Sequence, residues 1–312
     1  MIRWTCSAVY ESAAITEKVK GVSFMLKRLL LVGLIALLAM TAVAVVGCDA
    51  AEEDIDDVEG AVTRETHPAL ADVVAGDGLT LTVATDPSYP PFQTMAGGEI
   101  VGFDMDLVKA MADYLDAEVE FVSYGWDALL TALSADSNTF DFAASAMTIT
   151  EERAETILFS NPYFVSVQAL SVRADSDITS MDDVGEGFRV AVQRGTTGHI
   201  HATDHLEELG VVIMPYDGGT ECYLALASDE VDGVIIDIPV ALNQAEESDF
   251  DFDLRTIPIP DAEPEYFGFS MGMSRTAIAD AINEALAAII ENGTYAEIYA
   301  RWIDADNPPV LP

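Results

Sequence analysis

Apolar and polar positions alternate along residues 79–302 in blocks that change period, marking short strands separated by amphipathic helices. Residues 79–84 (LTLTVA) alternate and carry apolar or β-branched side chains, which predicts a first strand. Pro87, Pro90 and Pro91 break the pattern into a loop, and Gly97-Gly98 marks a hairpin-like turn. Residues 102–107 (GFDMDL) lead into an amphipathic helix ending near Leu115. A strand at 119–122, a helix at 126–133 and a strand at 141–144 follow. Strands alternating with helices imply βαβ units and a parallel sheet with ligand at the strand C-termini.

The same plan then recurs. Residues 168–172 leave the first unit, 180–184 form a helical turn, and 189–192 start a new strand. Gly195-Thr196-Thr197-Gly198 opens a helix, followed by a strand at 211–214, a helix at 223–227 and a strand at 234–236. The repetition predicts a second α/β lobe. Beyond Pro258 and Pro260, 267–271 reads as a returning strand, and 278–290 and 295–302 as helices separated by Gly293.

The N-terminal pattern is different. Lys27 and Arg28 precede an uncharged run, 29–46, that ends in Val45-Val46-Gly47-Cys48. The run is long enough to span a bilayer, and with its basic start it also describes a secretory signal. Residues 45–48 resemble a bacterial lipobox, whose cysteine is lipidated and becomes the mature N-terminus, so 1–48 is read as a signal peptide starting at Met25. Either reading places 49–312 outside the cytoplasm. Two acyl chains on Cys48 would give the double contact that stable anchoring to the membrane needs. Residues 49–77 are acidic and poor in large apolar side chains, the composition of a flexible tether.

Charge narrows the partners. The chain of 312 residues is half apolar, enough for a sizeable core, and carries 54 acids against 14 bases, a net charge of -40. Without a basic stripe there is nothing to meet phosphates, which excludes nucleic acid as a partner. Such acidity is self-repelling, a lever associated with halophiles. Cys6, Cys48 and Cys222 form neither a disulfide framework nor a zinc ribbon, and Cys222 reads as a buried small residue.

The chemistry concentrates at 141–153 (DFAASAMTITEER). A strand end leads through Ser145, Met147 and Thr148 to Thr150, Glu151 and Glu152, a cap followed by first-turn acids, with Arg153 inside the turn. Loop hydroxyls, free helical amides and a guanidinium fork suit a carboxylate. Taken alone, the segment reads better as a strand–loop–helix connection whose arginine pairs with Glu151 or Glu152.

Six stretches in order change that balance: GFDMDL at 102–107, TITEER at 148–153, FSNPYF at 159–164, the GTTG loop at 195–198, VDGVIID at 231–237 and ENGTYAEIYARW at 291–302. Together they resemble the polar-amino-acid family of extracytoplasmic solute-binding proteins, the soluble receptors of ABC importers, over nearly all of 79–302. The resemblance implies a two-lobed α/β fold of the periplasmic-binding-protein type (type II). Each lobe would be a mainly parallel sheet flanked by helices, with two crossing hinge strands. The first lobe would take 78–167 and 264–306, the second 168–263.

It also implies a site. Arg153 and Thr148 would clamp the α-carboxylate of a free amino acid, joined by Thr196, Thr197 and their amides. Asp237 would take the α-ammonium together with loop carbonyls near Ser145 and Ala146, since an ammonium needs acceptors. A helix cap ahead of Pro239 is an equal explanation of Asp237. Tyr89 and Trp126 would surround the ligand side chain, although a single tryptophan at a helix start is commonly core. Asp86 with Gln193 favours a cationic or polar neutral side chain, as in arginine, lysine, histidine or glutamine. The implied mechanism is hinge closure in a monomer, read by permease subunits, with no cofactor and no catalytic residue.

The alternative is an enzyme, because some cyclohexadienyl dehydratases share the fold. Glu221 is the candidate general acid, and its helix-start position explains it as well. His199, His201 and His205 lie close in sequence, but on an acidic helix they read as solvated, and no metal site is assigned.

Overall fold

The computed structural model describes residues 79–260 and 262–305, all within one compact unit. The expected signal peptide, lipobox and tether lie outside the described residues.

The first sheet grows from β1 (Leu79–Thr85), which pairs in parallel with β5 (Ala117–Ser123) on one side and β6 (Phe142–Ala143) on the other. The chain's return segment supplies β15 (Ser270–Gly272), inserted antiparallel between β6 and β7 (Ile157–Phe159). The parallel trio needs crossovers, and two helices provide them. Helix α1 (Phe103–Tyr114) buries Phe103, Met105, Leu107, Val108 and Met111, and α2 (Trp126–Ser134) buries Trp126, Leu129 and Leu133. Gly102 starts α1 at φ 144°, and a Cβ there would collide with the Phe92 carbonyl, so the GFDMDL motif requires glycine. Between β1 and α1 lies a small antiparallel ribbon, β2 (Ser88–Tyr89), β3 (Gln93–Ala96) and β4 (Glu99–Val101), turning at Gly97-Gly98.

The second sheet repeats the plan. β10 (Arg189–Gln193) pairs in parallel with β11 (Val212–Tyr216) and β12 (Gly233–Asp237). β9 (Gln168–Arg173) is inserted antiparallel between β12 and β13 (Leu254–Pro258). Its helices are α4 (Thr197–Leu206), α5 (Gly219–Ala227) and α6 (Ile238–Glu247). One turn, α3 (Glu151–Ala154), precedes them in the first lobe, and α7 (Thr276–Glu291) and α8 (Thr294–Trp302) complete it.

The chain leaves the first lobe through β8 (Phe164–Ser166) and returns through β14 (Glu265–Phe267), an antiparallel pair. An aromatic cluster fixes this hinge: Phe92 meets Phe164 edge-on at 4.9 Å and Phe267 at 5.3 Å, and Tyr163 stacks on Phe269 at 4.3 Å. Such contacts add to simple area burial.

Three elements differ from the pattern-based expectation. The strand expected at 267–271 is two, because Gly268 donates its N–H to the Met147 carbonyl (3.0 Å) and Phe269 to Ser160 Oγ (3.0 Å), so the backbone changes partners there. The strand expected at 141–144 keeps only Phe142 and Ala143. Helix α6 was expected only through the alternative reading of Asp237 as a cap; it forms in full, because proline is well tolerated in a first helical turn. Among the described residues, no helix is long and apolar enough to cross a membrane.

Candidate functional site

Between the lobes lies a narrow cleft, partly open to solvent. Every sequence-predicted ligand residue lines it: Asp86, Tyr89, Trp126, Ser145, Ala146, Thr148, Arg153, Gln193, Thr196, Thr197 and Asp237. Gln93 joins them, and sequence reading missed it because it follows two prolines in a stretch that reads only as a turn.

Topology explains the convergence. Asp86 follows β1, Ser145 and Ala146 follow β6, Gln193 ends β10 and Asp237 ends β12, all at strand C-termini where α/β sheets collect ligands. Helix α4 presents its N-terminus to the cleft, capped by Thr196 Oγ1 accepting from the His199 N–H at 3.3 Å.

Arg153 sits in α3, whose cap is Thr150, as expected: its Oγ1 accepts the Arg153 N–H at 3.1 Å. The guanidinium does not pair with Glu151 or Glu152. It donates to the Thr148 carbonyl (2.8 Å) in the first lobe and the Gly195 carbonyl (3.1 Å) in the second, and lies 5.4 Å from the Trp126 ring centre. Burial lowers its pKa, opposed by the charges of Glu265 and Asp237. A guanidinium nonetheless stays charged.

Asp237 occupies the cap position of α6 but makes no capping bond. Its side chain turns across the cleft instead, where Oδ2 accepts from the Tyr89 hydroxyl at 2.5 Å, while Oδ1 has no hydrogen-bond partner. Only 5% exposed, the carboxyl is pushed up to about 7, first by burial and then by the charge of Glu265; Tyr89, Ser166 and Gln168 pull the other way. A buried acid with a free oxygen is an acceptor awaiting a donor.

At the far end, Asp86 Oδ2 accepts from Gln193 Nε2 at 2.7 Å, again bridging the lobes. Burial raises its pKa, with Ser88 and Gln193 opposing. Ser145 Oγ accepts from the Asp86 N–H (3.1 Å) and from Gln93 Nε2 (3.3 Å), leaving the buried Gln93 Oε1 without a donor. Ala146 adopts φ 47°, and Asp104 holds it there: Oδ2 accepts the Ala146 N–H and Oδ1 the Tyr163 hydroxyl, each at 2.9 Å.

Glu265, on β14, is the second group the sequence did not reveal. It accepts from Thr148 Oγ1 (2.7 Å), Thr197 Oγ1 (2.6 Å) and Gln168 Nε2 (3.0 Å). No motif flags it, since it lies in a stretch that reads as an acidic, proline-rich return to the last strand.

The lobes are closed on each other. Besides these bridges, Gly219 lies against Ser88 and Tyr89, so close that a Cβ would stand 3.0 Å from the Ser88 carbonyl oxygen. Glu221, the candidate general acid, is not in the cleft lining; it accepts the Asp217 N–H at 3.1 Å at the start of α5. The rings of His201 and His205 lie 4.5 Å apart at a 45° tilt, and among the described residues no three metal-ligating side chains converge.

Residues 81–305 match the profile of the bacterial extracellular solute-binding proteins, family 3. The chain is 33% identical over 227 residues to an arginine-binding periplasmic protein of Mannheimia haemolytica, covering 71% of this chain and 90% of that one. Its structure is similar to that of the arginine-, lysine-, histidine-binding protein ArtJ from Geobacillus stearothermophilus, with a TM-score of 0.67, 31% identity and coverage of 73% and 96%. It is also similar to the ancestral amino acid-binding protein AncCDT-1, a precursor of cyclohexadienyl dehydratase, with a TM-score of 0.65, 32% identity and coverage of 72% and 94%. The match spans more than half of the chain and carries the fold with it: this protein belongs to the bacterial extracellular solute-binding proteins of family 3, and is a binding protein rather than an enzyme.

Proposed function

We propose that this chain is the extracytoplasmic receptor of an ABC importer, binding a cationic L-amino acid by hinge closure and presenting the closed form to permease subunits. The observation that carries the reading is the placement of one guanidinium and two unequal carboxyls in a single interlobe cleft: Arg153 from the first lobe, Asp237 from the second, and Asp86 at the far end. A zwitterion would bridge the lobes, its carboxylate on Arg153 and the amides opening α4, its ammonium on Asp237 Oδ1 and loop carbonyls near Ser145 and Ala146. Its side chain would run past Tyr89 and Trp126 to Asp86 and Gln93, which both offer acceptors. That favours arginine, lysine or histidine over glutamine. The arginine- and histidine-binding relatives support the same class.

The lobes in this reading comprise 78–167 with 264–306 and 168–263, the receptor is a monomer, and lipidation at Cys48 tethers it to the membrane. Its test is a thermal-shift and calorimetric screen of the twenty amino acids, because a ligand that binds only the folded state raises the transition temperature. The reading expects arginine, lysine or histidine to give the largest shift. No shift from any amino acid would overturn it. For the anchor, Cys48→Ala should release the protein from the membrane fraction, and retention there would refute lipidation.

A further inference from the structure

We infer that Glu265 is a specificity-determining residue that turns the hydroxyls of Thr148 and Thr197 into acceptors and, with Asp237, forms a two-acid pole for the ligand's ammonium. The inference rests on the functional reading above and changes the roles of two residues within it.

A hydroxyl has one proton to donate. Thr148 and Thr197 each give theirs to Glu265 Oε2, at 2.7 and 2.6 Å. The 3.4 Å approach between the two hydroxyl oxygens therefore has no proton left to carry it. What both side chains can present to the cleft they line is lone pairs alone. A carboxylate, which only accepts, finds nothing to accept there. An ammonium, which only donates, finds two oxygens.

The neighbouring geometry agrees. Gln168, whose Nε2 donates to Glu265 at 3.0 Å, lies directly opposite Asp237 in the antiparallel pairing of β9 and β12. The three groups thus form one continuous wall, which ends in the buried, unpartnered Asp237 Oδ1. Arg153 faces the same wall and feels both acids. The ligand's carboxylate is left to Arg153 and to backbone amides. Its ammonium is received by Asp237 Oδ1 and the two threonine oxygens, with the charge of Glu265 one bond behind them. Because Glu265 sits on the returning hinge strand while Thr148 and Thr197 come from opposite lobes, this pole is complete only when the lobes are closed.

Two measurements test this. In calorimetry, the probes are L-arginine and 5-guanidinopentanoate, the same molecule without its α-amino group; if the screen selects another amino acid, that one and its des-amino counterpart replace them. Glu265→Gln should weaken L-arginine at least tenfold and leave 5-guanidinopentanoate within about twofold. Thr197→Val, which leaves the hinge strand intact, should show the same ligand-dependent bias to a smaller degree. Equal losses for both probes would reduce Glu265 to a hinge support, and tighter L-arginine binding would make it a competitor of the ligand's carboxylate; either overturns the proposal. The second measurement needs no ligand and so stands even if the amino-acid reading fails. Carboxyl-carbon NMR of Asp237 in the free protein should show its titration moving to lower pH in Glu265→Gln, whereas an unmoved midpoint would show that the two acids do not act as one pole.

Discussion

Asp104 and Asp237 are both buried acids, and in both burial pushes the pKa up to about 7. Their surroundings make them opposites. Asp104 lies beneath the loop after β6 with both oxygens bonded, one to the Ala146 amide and one to the Tyr163 hydroxyl. Asp237 stands at the end of β12 with one oxygen bonded to Tyr89 and the other bonded to nothing. Burial alone therefore does not mark a functional acid. The first carboxyl holds a backbone shape, and the second keeps an unfilled valence at the cleft wall.

Substitution should separate them most sharply in ligand affinity. Asp237→Asn is expected to weaken the best amino acid by about 2–5 kcal/mol, the cost of removing one partner of a buried charge pair. Its ligand-free stability should hold or rise, since a poorly satisfied acid is gone. Calorimetry and thermal unfolding on the same sample check both halves. Affinity like that of the unaltered protein would remove Asp237 from the site.

Asp104→Ala should do the reverse in chemical denaturation. Ala146 N–H and Tyr163 Oη lose their partner, a penalty of about 1–3 kcal/mol for each group left unsatisfied. Affinity should then fall only as far as the loop carrying Ser145 and Ala146 loosens.

Titration offers a finer contrast. For both acids the folded-state pKa lies above the ordinary carboxyl value of 3.8, so the folded protein holds protons that the unfolded chain has released. Their linked stability is present below that value, is lost as pH rises toward about 7, and is flat above it. Unfolding experiments across this window should show the decline in the ligand-free protein, with a smaller decline in Asp237→Asn. Ligand binding should also release protons near pH 6, because an ammonium on Asp237 favours the ionised carboxylate. Burial sets that midpoint first; among the groups facing the carboxyl, Glu265 raises it further and Tyr89 lowers it, and Arg153 feels its charge. Repeating the titration in buffers of different ionisation enthalpy would count the protons. Asp104→Asn should leave the count unchanged, and Asp237→Asn should abolish it.

The smallest effect expected is from Tyr89→Phe. It removes the single donor on Asp237 Oδ2 while leaving the ring against the cleft, a change of about 1 kcal/mol in affinity.

These contrasts also mark what the sequence could disclose. Arg153 and Asp237 were legible because each lies at a helix start or strand end inside a recognisable motif, and Asp86 because it follows the first strand; strand C-termini are where such folds gather their ligands. The choice between cap and ligand group at Asp237 was not legible; it turns on which way one side chain rotates. Gln93 and Glu265 were hidden for another reason. Their neighbours in the chain are turn formers, and their partners, Ser145, Thr148, Thr197 and Gln168, are supplied from far along the sequence. Helix α6 was legible only as the cap reading of Asp237, with its extent blurred by Pro239, and the split of 267–271 depends on Met147 and Ser160, which no local pattern reports.

The insertion of β15 between β6 and β7 has a consequence for biogenesis. The second lobe's elements come from one run of chain, whereas the first lobe takes an interior strand of its sheet and two of its helices from the last part to be made. A nascent chain that stops short of β15 therefore has an unfinished sheet and an incomplete cleft. Solute capture must wait for the last segment to dock.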